Sequence, residues 1–88
     1  MESSQFRDLL NENNAWPSVY MFKFICPSDA STIAEVKGLF QGEISDLVMR
    51  DSSNGNYVSI TIKTRVHDAG EVITYYEKAS HIKGLMAL

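Results

Sequence analysis

The side chains best suited to chemistry in this sequence are one cysteine and two histidines. Cys26 is a candidate nucleophile or redox thiol, but a nucleophilic thiol needs a base and an orienting group beside it. Both histidines, His67 and His81, stand far from Cys26 in the sequence, and no HxH or CxxC spacing suggests a metal site. The pattern favours a buried cysteine that acts as a small hydrophobe. We therefore expect no catalytic residues, no metal and no cofactor.

A second candidate is the segment 52–56, Ser-Ser-Asn-Gly-Asn, which combines hydroxyls with a glycine as phosphate-binding loops do. Such loops lead into a helix whose free N–H groups bind the anion. Here the next residues, 57–65, alternate apolar and polar side chains, which indicates a strand. Asn54 and Gly55 are a strong hairpin signal, because both residues adopt positive φ at low cost. The segment therefore predicts a hairpin turn.

The alternation in residues 57–65 also predicts a sheet with two different faces. Val58, Ile60 and Ile62 would face the core, and the residues between them would face away. Residues 18–26 alternate in the same way. The outward-facing residues of three strands form a candidate binding face: Met21, Lys23, Ile25, Val48, Arg50, Tyr57, Ser59, Thr61, Lys63 and Arg65. Four of the eight basic residues of an acidic protein lie in this set. We expect either a solvated sheet surface or a binding or dimerisation surface.

Two helices are predicted from capping signals. Thr32 with Glu35 three residues later fits a capping box and would start the first helix, and Gly42 would end it. Asp68 would be the N-cap of the second helix.

The order of these elements predicts an α+β fold. The predicted strands are residues 18–26, 44–50, 57–65 and 84–88. With the two helices they give the order βαββαβ, the ferredoxin-like arrangement, in which both helices cover one face of an antiparallel sheet with strand order 4-1-3-2. Residues 1–15 would be an N-terminal extension with the apolar spacing of a short helix, and residues 16–88 would form one domain.

Composition narrows the class of protein further. A length of 88 residues allows a single core. A net charge of -3 argues against general nucleic-acid or anionic-membrane binding. The single cysteine cannot form an internal disulfide, and neither a secretory leader nor a membrane-spanning run is recognisable. We expect a cytoplasmic protein without a membrane association.

Two segments resemble a known family. Residues 16–25, Trp-Pro-Ser-Val-Tyr-Met-Phe-Lys-Phe-Ile, look like its first-strand pattern, an aromatic-proline pair followed by a lysine-bearing strand. Residues 52–62 resemble its Ser-Asn/Gly-Lys-Tyr-x-Ser-Val-Thr run. The family is the YbeD-like group of small bacterial proteins of unknown function, and the likeness covers residues 16–88. Cys26 and Pro27 stand where the family commonly has glycine, and Asn56 stands where it commonly has lysine.

The resemblance implies a ferredoxin-like fold similar to the ACT domains that bind small effectors and regulate metabolic enzymes, and it implies no catalytic residues. We expect a non-catalytic regulatory or adaptor module that binds a protein partner or a small-molecule effector, of unknown identity, through its open sheet face or an edge strand. A homodimer through the same surface is an open alternative. ACT-type effector sites need a glycine near the first β-α turn, and residues 26–29 contain none, which favours a protein partner.

Two other functions are considered. RNA-recognition modules share this strand order and stack bases on aromatic side chains of the first and third strands. Only Tyr57 is available there, so nucleic-acid binding is the less favoured alternative. Acylphosphatase-like chemistry on this fold needs an arginine in the first β-α loop, and residues 26–31 contain none, so we do not expect an enzyme.

Overall fold

The computed structural model describes residues 3–40 and 44–88. Its elements, in chain order, are α1 (Ser3–Asn13), β1 (Ser18–Pro27), α2 (Ala30–Gly38), β2 (Ile44–Asp51), β3 (Tyr57–Val66), α3 (Ala69–Ala79) and β4 (Met86–Ala87). The four strands form one antiparallel sheet in the order β2-β3-β1-β4, which is the predicted 4-1-3-2 order counted from the other edge. The predicted α+β class with a four-stranded antiparallel sheet is confirmed. The last strand is shorter than predicted.

A third helix is the main departure from the predicted two-helix layer. α1 packs against α3, with the ring of Phe6 centred 5.6 Å from the ring of Tyr76. Leu10 is only 5% exposed and belongs to the core cluster. Trp16 Nε1 donates a hydrogen bond of 2.7 Å to Asn11 Oδ1 and so ties the end of α1 to the start of β1. The segment that the sequence marked as an extension therefore contributes to the core.

The start of α2 also differs from the prediction, because its N-cap is Asp29 and not Thr32. Asp29 Oδ2 accepts hydrogen bonds from the hydroxyls of Ser31 and Thr32, at 2.8 and 2.9 Å, and from the Thr32 backbone N–H at 3.3 Å. These bonds, that of Ser31 foremost, lower the pKa of the Asp29 carboxyl. A carboxylate satisfies the free N–H groups of a first turn better than a hydroxyl that must itself be oriented, so the helix begins at Ala30.

The remaining helix boundaries are simpler. α2 ends at Gly38, and the predicted stop at Gly42 lies outside the described residues. The prediction of Asp68 as the N-cap of α3 is confirmed, since its Oδ1 accepts from the Glu71 N–H at 2.9 Å. No helix in the described ranges is long and apolar enough to span a bilayer.

The hairpin between β2 and β3 turns where the sequence predicted. Asn54 Oδ1 accepts from the Ser52 hydroxyl at 2.9 Å and from the Asn56 N–H at 3.1 Å, and the Gly55 N–H donates to the Ser52 carbonyl at 3.0 Å. Within this turn Gly55 adopts a positive φ, of 74°, whereas Asn54 does not. The reason is that the Asn54 side chain closes the turn by hydrogen bonding, so its backbone need not enter the left-handed region.

The core lies between one face of the sheet and the helices. β1 and β3 pair over ten residues, and their side chains alternate between buried and exposed positions. The prediction that Val58, Ile60 and Ile62 face the core is confirmed. The buried side chains of the two strands and of α2 and α3 are Phe22, Phe24, Cys26, Val58, Ile60, Ile62, Thr64, Val66, Val36, Ala69, Val72, Ile73 and Ala79.

Aromatic rings join the sheet to the helix layer. The ring of Phe22, which is fully buried, lies 5.1 Å from that of Phe40 and 5.2 Å from that of Tyr75. Phe40 in turn stacks on Tyr75 at 4.6 Å. Aromatic pairs at these separations add about 0.5–1.5 kcal/mol each beyond the area they bury. They hold α3 against the centre of β1.

Two glycines provide a matched test of this backbone. We expect Gly55→Ala to lower the free energy of unfolding by about 1 kcal/mol, because alanine is strained at positive φ. Gly38→Ala should raise it by about 0.5–1 kcal/mol, because Gly38 is helical and a Cβ there meets no atom of the described residues within 4 Å. Urea unfolding of both variants measures the two changes. A loss of stability in Gly38→Ala would contradict the helical conformation assigned to that residue.

Candidate functional site: the open face of the sheet

All the residues of the predicted binding face lie on the side of the sheet opposite the helices, which we call the open face. Strand register places them there, because directly paired residues of neighbouring strands point to the same side. Lys23 pairs with Thr61, for example, while the next pair, Phe22 with Ile62, is buried on the helix side. The predicted residues found on the open face are Met21, Lys23, Ile25, Val48, Arg50, Tyr57, Ser59, Thr61, Lys63 and Arg65.

Apolar side chains occupy much of this face. Five of the eight large hydrophobic side chains that are exposed in the described residues belong to it: Val19, Met21, Val48, Tyr57 and Met86. Each is about half exposed, from 49% for Tyr57 to 57% for Val19. Two of them, Val19 and Met86, were not in the predicted set. Val19 follows from the strand alternation, whereas Met86 joins the face only because β4 pairs it with Ile25.

Basic side chains surround and interrupt the apolar ones. Lys23 lies on β1, Arg50 on β2, and Lys63 and Arg65 on β3, and all four are exposed. Among the strand residues whose register places them on this face, the acidic one is Asp46, opposite Lys63. In the described part of the chain no carboxylate lies within 4 Å of these four cations; the basic–carboxylate contact found there joins the side chains of His67 and Glu71. The open face is therefore positive.

The positive open face stands out against the rest of the protein. Outside this group, the residues that the structure describes include eight acidic ones and four basic ones. Although the net charge is only -3, positive charge is concentrated on the open face and negative charge on the rest of the protein. Such a separation attracts an acidic partner to one surface and repels it from the others.

The open face carries a small concave feature. A shallow pocket of ≈ 200 Å³ lies at its hairpin end, lined by Ile25, Arg50, Asp51, Ser52, Tyr57, Val58 and Ser59. Small-molecule sites usually enclose about 300–1,000 Å³. A wider hollow of ≈ 550 Å³ lies in the helix layer and contains none of the predicted site residues: its lining is Gly38, Leu39, His67, Glu71, Thr74, Tyr75 and Lys78.

The side chains that could have done chemistry lie elsewhere. Cys26 is buried in the core, and burial, together with the negative charge of Asp29, raises the pKa of its thiol. A nucleophilic cysteine needs the opposite shift, because the thiolate is the reactive form. The interpretation of Cys26 as a small hydrophobe is confirmed. His67 Nδ1 lies 3.2 Å from Glu71 Oε2, and within residues 3–40 and 44–88 no three His, Cys, Asp or Glu residues form a possible metal site.

Sequence comparison connects the chain to a family without a known activity. Residues 11–88 match the family model described as "Protein of unknown function (DUF493)". A comparison with curated proteins returned no match.

Solved structures share the fold at low sequence identity. The uncharacterized protein TM1266 from Thermotoga maritima has a TM-score of 0.66 and 15% identity, over 80% of this chain and 90% of that one. The ACT domain from GTP pyrophosphokinase of Chlorobium tepidum has a TM-score of 0.65 and 10% identity, over 80% and 96% of the two chains. A formyltetrahydrofolate deformylase from Pseudomonas putida has a TM-score of 0.60 and 17% identity, over 81% of this chain and 28% of the enzyme. These likenesses show an ACT-like fold.

The buried thiol gives a direct test of this description of Cys26. In the native protein we expect it to react with a soluble aromatic disulfide reagent about 100-fold or more slowly than in urea, because reaction requires both opening of the core and deprotonation. The rate of thiolate-dependent colour formation, measured with and without urea, checks this. Comparable rates in the two states would mean that Cys26 is accessible and would return it to the list of candidate nucleophiles.

Proposed function

The chain belongs to the DUF493 family of proteins of unknown function, and on that premise we propose that it is a non-catalytic adaptor or regulatory module that docks a partner protein on its open face. The partner surface would be apolar at its centre and acidic around it. One observation carries this proposal: half-exposed apolar side chains share one face of an otherwise acidic protein with cations that have no carboxylate partner among the described residues.

Burial of the apolar side chains would provide the main driving force for binding. Met21, Val48, Tyr57 and Met86 each leave about half of their surface in water. Burying apolar surface contributes about 25 cal/mol for each Å² removed from water. Methionine, tyrosine and arginine are also the side chains enriched at protein interfaces, and methionine adapts its shape to a partner.

The cations define the chemistry of the partner. Lys23, Arg50, Lys63 and Arg65 are free of carboxylates in the described part of the chain, so an acidic surface would gain ion pairs without breaking existing ones. Charge complementarity of this kind mainly raises the association rate and selects the partner. A second copy bound face to face would set one positive face against another, which disfavours the homodimer.

Two observations favour a protein over the alternatives. The open-face pocket of ≈ 200 Å³ is small for an effector, and the first β-α turn has no glycine to admit one. An RNA platform needs aromatic side chains on which bases can stack, and the outward aromatic on β1 and β3 is Tyr57 alone. The likeness to an ACT domain of a GTP pyrophosphokinase supports a regulatory or adaptor role by analogy of fold only.

Paired charge reversals test the proposal. We expect the Lys23→Glu, Lys63→Glu double variant to recover partner proteins from extracts of the native organism about tenfold less well than the unchanged protein, because both reversals face the acidic partner. The matched control is Lys37→Glu with Lys78→Glu, which makes the same change of charge in the last turns of α2 and α3. Quantitative mass spectrometry of the captured proteins measures the difference.

The control separates the possible sites. Equal recovery by the open-face variant and the unchanged protein would overturn docking on the open face. Loss in the Lys37, Lys78 variant alone would place the partner at the helix-layer hollow that Lys78 lines. Recovery that disappears after nuclease treatment would support the RNA-binding alternative. Circular dichroism of both variants confirms that each is folded.

A further inference from the structure

The edge of the sheet beside β1 is only half covered. β4 pairs with β1 at two positions, Phe24 with Ala87 and Ile25 with Met86, and the Leu88 N–H adds a hydrogen bond of 2.9 Å to the Lys23 carbonyl. On that side, the described residues place no strand opposite the first half of β1, residues 18–22. This stretch, which we call the uncovered edge, has no strand partner on that side among the described residues, although β1 is central elsewhere.

The backbone of the uncovered edge offers hydrogen-bonding groups in a regular row. In an antiparallel strand, successive residues direct their N–H and C=O groups to opposite sides. Because the Lys23 carbonyl faces β4, the N–H and C=O groups of Met21 and Val19 face the same side, while those of Tyr20 and Phe22 face β3. No backbone partner for Met21 or Val19 on that side occurs in the described residues. Such a row is a template for an added strand.

An apolar groove lies below this edge, on the helix side. The ring of Phe6 contacts that of Tyr76, and the hydroxyls of Tyr76 and Tyr20 lie 3.3 Å apart. Two adjoining hollows share Phe6 and Tyr20, one of ≈ 310 Å³ that also includes Leu9 and one of ≈ 370 Å³ that also includes Tyr76. Leu9 is 45% exposed. An added strand would cover these two hollows.

Cations lie on the other side of the same edge. Strand register sets Arg65 beside Val19 and Lys63 beside Met21, and Lys23 follows on β1 itself. All three side chains are exposed on the open face. A strand added here would therefore have an apolar groove on one side and positive charge on the other.

We propose that the uncovered edge is a second docking site, which takes an extended peptide that alternates apolar and acidic side chains. The main chain of the peptide pairs with Val19 and Met21. Because side chains of a strand alternate between its two faces, the apolar ones enter the groove of Phe6, Leu9 and Tyr20, and the acidic ones approach the cations. The site is separate from the centre of the open face and stands whether or not a partner docks there.

Charge repulsion disfavours a second copy of the chain at the uncovered edge. A second β1 laid along the uncovered edge would direct its own Lys23 to the side where Lys63 and Arg65 already lie. It would bring no acidic side chain, because residues 18–27 contain none. An acidic alternating peptide removes this repulsion.

The test uses a fluorescent synthetic peptide that alternates glutamate with leucine, titrated into the full chain and followed by fluorescence anisotropy. Two control peptides isolate the recognition elements: one with lysine in place of glutamate, and one with N-methyl groups on the amides that would pair with β1. The protein variants are Leu9→Glu in the groove and Met49→Glu on β2, two exposed apolar residues of matched accessibility, at 45% and 43%. We expect Leu9→Glu, the lysine peptide and the N-methyl peptide each to weaken binding about tenfold or more, and Met49→Glu to leave it unchanged.

Amide hydrogen exchange locates the peptide. In the free protein the N–H groups of Val19 and Met21 should exchange faster than those of Tyr20 and Phe22, and peptide should protect the first pair. Unchanged exchange at Val19 and Met21 with peptide bound would overturn the proposal. Equal binding by Leu9→Glu and the unchanged protein, or loss of binding in Met49→Glu, would overturn it as well. A dimer in sedimentation equilibrium that Leu9→Glu dissociates would also overturn it, because the edge would then belong to a second copy of the chain.

Discussion

The antiparallel pairing of β1 with β3 is the constraint on which the rest of this structure depends. The ladder runs from Ser18 opposite Val66 to Pro27 opposite Tyr57. Because side chains alternate along a strand, a shift of one residue in this register would carry Lys23 into the core and Phe22 into water. The free-energy cost of burying an unpaired cation exceeds what the hydrogen bonds of a shifted ladder would contribute. The register is therefore strongly determined. The register thus determines which face of the sheet packs against the helices in the core and which one becomes the positive open face.

The two proposed sites share one group of cations but differ in what they offer a partner. The centre of the open face offers side chains only, since its backbone groups are already used within the sheet. The uncovered edge offers backbone hydrogen bonds as well, and therefore suits an extended chain and not a folded surface. A single partner with an acidic surface and an acidic tail could occupy both, because Lys23, Lys63 and Arg65 lie between them.

Much of the fold was predictable from local signals. The alternation in β3 and the Asn54-Gly55 turn each act over a few residues, and so does the Asp68 cap of α3; no distant contact overrides them. The start of α2 was mispredicted because Asp29 and Thr32 are both capping residues, and the sequence does not show which carries the hydrogen bonds. The open face was predictable in outline for the same reason as the strands, since every second residue of a half-buried strand must meet water.

Taken alone, the sequence determined the class of fold and the separation of apolar from basic side chains, because each follows from periodicity and from the cost of burying charge. It did not determine where α1 docks or how far β4 covers β1. Both depend on contacts between residues far apart in the chain, such as Phe6 with Tyr76 and Lys23 with Leu88. Only tertiary packing brings such residues together, and it was tertiary packing that left the first half of β1 uncovered above an apolar groove.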